Sequence, residues 1–330
     1  MADQLLDVVG IGNAIVDVLA QSDDAFLKEH DLVKGAMTLV DAERSAALYD
    51  AMGPGVEASG GSAGNTMAGI ASLGGRGGYI GKVRDDQLGR IFQHDIRAVG
   101  IEYNNPLAAE GPSTGRCLIM VTPDAQRTMN TFLGAAVDLG PQDLDLEMIR
   151  RAKVTYMEGY LWDMPPAKAA YLEAAAAAHA AGRKVSLTLS DSFCVERHRD
   201  SFLELISGHV DLLFANHDEI CALFQVDSFE DAMKQVRGHC EIAAITRGER
   251  GSVIVSGDET VEVEAESIEQ LVDTTGAGDL YAAGFLYGYT QGKSLYDCGR
   301  IASIAAAEVI SHFGARPATP LAAFVKQRIG

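Results

Sequence analysis

Short apolar runs rich in β-branched residues alternate along this chain with segments of helical period, and that alternation leaves few folds open. Leu5–Ile11, Gly78–Gly81, Val154–Glu158, Lys184–Leu189, Val210–Phe214, Ile242–Thr246 and Ser252–Val255 read as strands. Between them Ser62–Leu73, Asp86–Val99, Pro165–Ala181, Val195–Ile206 and His217–Phe224 read as helices, and the C-terminal third is helical. Strands separated by helices pair in parallel and are covered on both faces. The expected class is therefore α/β, with a doubly wound, mostly parallel sheet flanked by helices, and ligands belong at the carboxyl ends of its strands. Two stretches break the rhythm. Ala14–Ala20 with Ala36–Val40, and Arg116–Val121 with Arg127–Phe132, read as strands without long helices between them. The second pair is joined by Thr122–Ala125, a turn signal that makes a hairpin. These strands predict a small separate sheet.

The chemistry points to Asp273-Thr-Thr-Gly-Ala-Gly-Asp279, followed by the apolar helical run Leu280–Tyr289. Small residues at the start of a helix let the N–H groups of Gly276, Ala277 and Gly278 converge on an anion, and the helix dipole favours negative charge there. Asp279, within the first turn, can face that anion as a base facing an attacking hydroxyl would. A cradle and a carboxylate at fixed separation are the minimum equipment for phosphoryl transfer to an alcohol. A capped helix that merely begins Gly-Ala-Gly-Asp is the plainer reading, and the seven-residue run weighs against it. Two rival nucleotide motifs fail. Gly10-Ile-Gly12 lacks the third glycine of the dinucleotide fingerprint, because Ile15 stands in its place. Gly288–Ser294 is one residue short of a P-loop and closes a helix where the true motif opens one.

The Asp273–Asp279 run resembles the signature of the ribokinase-type (PfkB) family of sugar and nucleoside kinases, and the resemblance extends over nearly the whole chain. Val9-Gly-Ile-Gly-Asn13 with Asp17 is similar to the family's first strand and substrate aspartate, and Gly60-Gly61-Ser62-Ala63-Gly64-Asn65 to its di-glycine loop. Asn216-His-Asp-Glu219 is similar to its Asn-x-x-Glu element, and Thr246-Arg247-Gly248 to its nucleotide-side turn. Gly10–Asp17, Arg127–Ala136 and Tyr156–Tyr160 most resemble the adenosine kinases of the family. The resemblance implies a ribokinase-like core from residues 1–13, 42–109 and 134–330, and a small β lid from 14–41 and 110–133.

It also implies roles. Asp279 would be the base, with Gly276, Ala277 and Gly278 stabilising the transferred phosphoryl and Arg127 arriving with the lid. Asn13, Asp17, Gly60, Gly61, Ser62, Asn65 and Tyr160 would face the acceptor, a carboxylate and an amide being well matched to a vicinal diol. Asn216, Glu219, Thr246, Arg247, Gly248 and Thr275 fall on the side of ATP and Mg²⁺, with the metal reached through water rather than in a protein cage. A monovalent cation, K⁺, would sit near Asp273 and Thr275. Plainer readings stand beside these: Asn216 and Glu219 also spell a helix cap, Asp17 also suits a solvent-facing strand position, Arg127 a solvated hairpin, and Tyr160 with Leu161 core packing.

Composition supplies exclusions. The formal net charge of −19 over 330 residues repels nucleic acid and anionic membranes, so an anionic nucleotide must be held by Mg²⁺, helix ends and placed arginines. Glycine, at 35 residues, exceeds the usual share of about 7%. The five cysteines are scattered without a C-x-x-C pair, which reads as reduced thiols. With no signal peptide and no apolar run of about 20 residues, the expectation is a cytoplasmic protein, monomer or homodimer. Its partner is a small nucleoside or sugar. The leading function is ATP-dependent phosphorylation of adenosine at its 5′-hydroxyl. A free-sugar kinase for ribose or fructose shares the sugar contacts, and a non-catalytic nucleoside or sugar sensor is the reading from another class, against which Asp279 counts.

Overall fold

The computed structural model describes residues 5–124 and 126–329. Fourteen strands occur among them: β1 (Leu6–Ile11), β2 (Ile15–Gln21), β3 (Met37–Leu39), β4 (Gly55–Ser59), β5 (Gly77–Ile80), β6 (Glu102–Tyr103), β7 (Thr114–Val121), β8 (Arg127–Gly134), β9 (Ala152–Glu158), β10 (Lys184–Thr188), β11 (Leu212–Asn216), β12 (Ile242–Thr246), β13 (Ser252–Ser256) and β14 (Glu259–Val263). Nine of them form one sheet in the order β14-β13-β12-β11-β10-β9-β1-β5-β6. All pairings in it are parallel except β12 with β13 and β13 with β14.

The central strands are apolar on both faces because helices cover both. On β11, Leu213 and Ala215 face one apolar layer with Tyr171 and Phe202, while Leu212 and Phe214 face the other with Phe285 and Leu286. Two helices position the site. Ser62–Ser72 packs eight consecutive buried residues, most of them small, beside β1 and β5. Ala277–Thr290 lies against it and is apolar over most of its length.

The expected second sheet is present and has five strands, β3-β8-β7-β2-β4. In it β7 and β8 form the antiparallel hairpin, Val121 opposite Arg127, and β2 runs parallel to β7. The turn proper includes Ala125, which lies outside the described residues. One strand differs from expectation: β4, inside the stretch 42–109 given to the core, pairs antiparallel with β2 and belongs to the small sheet. Two helices, Asp24–Glu29 and Ala42–Ala51, fall between its strands, and Leu27 and Leu48 pack under it with Val18, Leu118 and Met120. The helix expected from Val195 begins at Ser192, because the Asp191 carboxylate caps it by accepting from Cys194 N at 2.6 Å, and it is kinked at His198. All five cysteines are free thiols. Among the described residues no helix is long and apolar enough to cross a membrane.

Candidate active site

Gly276 opens the Ala277–Thr290 helix in the left-handed region, with φ +80. A Cβ there would stand 2.7 Å from the Ala315 carbonyl oxygen, so both backbone shape and space demand glycine. Ala277 N–H is spent on the Thr274 carbonyl at 3.2 Å. The N–H groups of Gly276, Gly278 and Asp279 make no hydrogen bond among the described residues, and the space in front of Gly278 is open. Of the three N–H groups expected to form a cradle, those of Gly276 and Gly278 are therefore free to do so, with Asp279 N–H beside them, whereas that of Ala277 closes a turn.

Asp279 is held from across the fold. Its Oδ1 accepts from Ser62 Oγ at 2.6 Å and its Oδ2 from Asn65 Nδ2 at 3.1 Å, both donors on the first turn of the Ser62–Ser72 helix. Burial raises its pKa, and these two bonds pull the other way. Asn65 therefore touches the proposed base, a contact its assignment to the acceptor sugar did not anticipate.

Asp17 sits on β2, and its carboxylate lies so close to Gly60 that a Cβ on that glycine would meet Oδ1 at 2.5 Å. No hydrogen bond reaches that carboxylate among the described residues. Burial pushes its pKa up to about 6, against the pull of Arg316 and Arg127 and with the repulsion of Asp279. Gly61 follows with φ +87 and leads into the Ser62 helix. Behind this wall lies Glu158, at the carboxyl end of β9 and fully buried. Its Oε1 accepts from Asn13 N and Nδ2, both at 2.7 Å, and its Oε2 from Ala63 N at 2.8 Å. Burial lifts its pKa to about 7 despite those bonds. Glu158 so ties the exit of β1 to the start of the Ser62 helix, while Asn13 Oδ1 is left buried without a partner. Tyr160, just past β9, donates its hydroxyl to the Ser190 carbonyl at 3.3 Å, and Leu161 belongs to the core.

A second group lies at the carboxyl ends of β11 and β12, where Asn216 and Thr246 are register partners. Asn216 and Glu219 form a reciprocal cap: Glu219 N donates to Asn216 Oδ1 at 2.8 Å, and Glu219 accepts from Asn216 N at 2.9 Å and Nδ2 at 2.7 Å. Burial raises the Glu219 pKa to about 7. Gly248 turns the chain with φ +61, and the Arg247 guanidinium stacks over Phe229 with a 3.7 Å approach to Glu262.

Arg127 is not a solvated hairpin residue. It is buried, packs over Phe313, and pairs with Asp273 at 2.7 Å. The same Asp273 accepts from Thr275 N and Oγ1 through Oδ1, and from Gly314 N through Oδ2. The carboxylate expected to face a monovalent cation therefore faces a guanidinium. Two residues that the sequence reading passed over belong to this site. Glu158 carried a signal, an acid at the end of an otherwise apolar central strand. Arg316, whose guanidinium reaches Asn65 and Ser59, carried none, being a lone cation in a loop.

Comparison with known proteins identifies what the chain resembles. The model of the pfkB family carbohydrate kinases matches residues 42–322. A crystal structure of adenosine kinase from Sinorhizobium meliloti is 55% identical, covers 98% of this chain and 99% of its own, and superposes with a TM-score of 0.92. One of a "probable sugar kinase protein" from Rhizobium etli CFN 42 is 53% identical with the same coverage and a TM-score of 0.93. An uncharacterized sugar kinase of Archaeoglobus fulgidus is 29% identical over 256 residues, 76% of this chain and 98% of its own.

Proposed function

The chain belongs to the pfkB family of carbohydrate kinases, phosphotransferases with a hydroxyl group as acceptor, and from that premise we propose that it phosphorylates the 5′-hydroxyl of adenosine with ATP as donor. The observation that carries the reading is the Asp279 carboxylate, oriented by Ser62 and Asn65 beside the unpartnered N–H groups of Gly276 and Gly278. Asp279 takes the proton of the acceptor hydroxyl as its oxygen bonds to the γ-phosphorus. The bond from phosphorus to the bridging oxygen breaks, and ADP leaves with the electron pair. The two N–H groups donate to the phosphoryl oxygens as charge develops there, a contribution of about 3 kcal/mol per donor in comparable sites.

The open space at Gly278 and the positive end of the helix suit an anionic phosphate. Mg²⁺, when bound, neutralises the nucleotide phosphates. Asn216 and Glu219 would reach it through water, since they already satisfy one another, and Thr246, Arg247 and Gly248 flank the nucleotide. Asp17 and Asn13 meet the sugar, and Tyr160 stands toward the base. The five-stranded sheet acts as the lid, with Arg127 as its contact to the phosphate side.

Adenosine is favoured by the likeness to the Sinorhizobium meliloti adenosine kinase. The likeness to the Rhizobium etli and Archaeoglobus fulgidus sugar kinases keeps a free-sugar acceptor as the second reading. ADP release with Mg-ATP, measured against adenosine, guanosine, inosine, ribose and fructose, separates them. Turnover greatest with adenosine supports the first reading, turnover confined to ribose or fructose moves the acceptor to the second, and silence across the panel refutes both.

A further inference from the structure

Arg316 has no part in the phosphoryl transfer just described, yet it is drawn deep into the site. From the loop after the Leu295–Val309 helix, its Nε donates to Asn65 Oδ1 at 3.3 Å and its Nη1 to Ser59 Oγ at 2.5 Å. Its Nη2 is buried beside Gly64 and has no hydrogen-bond partner among the described residues. On the same wall of the site stands Asp17, whose carboxylate accepts no hydrogen bond among the described residues. The Asp17 carboxylate lies against Gly60, the neighbour of the Ser59 that takes the Arg316 Nη1–H, and among the described residues no ion pair closes between the two charges. A donor without an acceptor thus confronts an acceptor without a donor.

A hydroxyl is the small neutral group that completes both at once, because its oxygen accepts while its proton is given away. A carbonyl or ether oxygen would set lone pairs against Asp17, and an ammonium would meet the guanidinium. We infer that Arg316 is a specificity-determining residue, its free N–H and the Asp17 carboxylate together reading one ring hydroxyl of the acceptor sugar. The inference rests on the sugar-moiety reading above. A deoxy position there leaves two buried polar groups unpaired, the circumstance in which a site rejects an analogue most strongly.

The test compares kcat/KM for the acceptor found by the panel with its singly deoxygenated analogues, for adenosine the 2′- and 3′-deoxy compounds. It is run on the wild type, Arg316→Met and Arg316→Lys. The wild type should disfavour one analogue by about 100-fold or more. Arg316→Met should shrink that preference by about 10-fold, mainly by losing rate on the full substrate, and Arg316→Lys should fall between. The ratio is blind to lost folded protein, and Arg316→Lys alone serves if the methionine variant does not fold. Equal losses on both substrates would reduce Arg316 to a brace for Asn65 and Ser59 and overturn the inference, while leaving the kinase reading intact. No turnover of any acceptor by the wild type would overturn both.

Discussion

Asp279 receives two hydrogen bonds from the Ser62 helix, so its position survives loss of its charge better than its chemistry does. Asp279→Asn should fold with unchanged thermal stability while kcat falls by about 10² to 10⁴, the usual contribution of a placed general base; a fall under tenfold would remove it from that role. Glu158 offers a prediction in pH. Burial raises its pKa from the ordinary glutamate 4.5 to about 7, so the folded state holds the proton more tightly than the unfolded one. The stability linked to that proton is complete below about pH 4.5 and is lost as pH rises through about 7. Glu158→Gln keeps the neutral form at every pH. Its denaturation midpoint should therefore improve relative to the wild type between pH 5 and 8, by the equivalent of about 3 kcal/mol at most. A difference that stays flat over that range would mean Glu158 titrates normally. At this scale the sequence singled out Asp279, Asp17 and Asn65 as candidates, because each sits in a run of recognisable residues, and the structure brings Asn65 and Asp279 into contact. The sequence could not show Arg316, whose partners lie at Ser59 and Asn65, distant in sequence and unmarked by any spacing.

The mouth of the Ala277–Thr290 helix depends on one backbone conformation. Gly276→Ala would place a methyl 2.7 Å from the Ala315 carbonyl in a left-handed residue, a strain of about 1–2 kcal/mol before any clash is counted. The expected outcome is a lower unfolding midpoint together with a kcat loss larger than the stability loss explains, because the N–H groups turn away with the helix start. Stopped activity with an unchanged midpoint would point elsewhere. Helices and buried strands were legible because their period is written in apolar residues and their starts in caps such as Asp86 and Asn216, although the Asp191 cap was passed over. The strands β4 and β14 were not, since both are exposed edge strands with little apolar surface to pattern. The small sheet was recognised from β2, β7, β8 and one of its edges, β3, and its border was misjudged at the other edge, where β4 joins it.

In the whole molecule the two sheets are joined by a buried ion pair, Arg127 with Asp273, whose side chains are 7% and 6% exposed. Removing the guanidinium leaves a buried carboxylate uncompensated, a loss of about 3–5 kcal/mol in comparable pairs. Arg127→Met should therefore lower the unfolding midpoint and raise amide exchange in β8 and at Gly314 above that in β9. Uniform exchange across both sheets would show that the pair does not hold the small sheet down. The alternation of strand and helix foretold the parallel sheet, since that follows from connectivity alone. How the small sheet is fastened to the large one was out of reach, because Arg127 and Asp273 are distant in the sequence and no spacing marks them as partners.

The bonds from Asn65 to Asp279 and from Arg316 to Asn65 span 214 and 251 positions. A ribosome making this protein therefore lays down one wall of the site almost at the start and the other almost at the end. Every strand of both sheets precedes Asp279 and Arg316 in the order of synthesis. A product broken off after β14 would own every strand of both sheets and lack Asp279 and Arg316, the two residues that close the site from the other side.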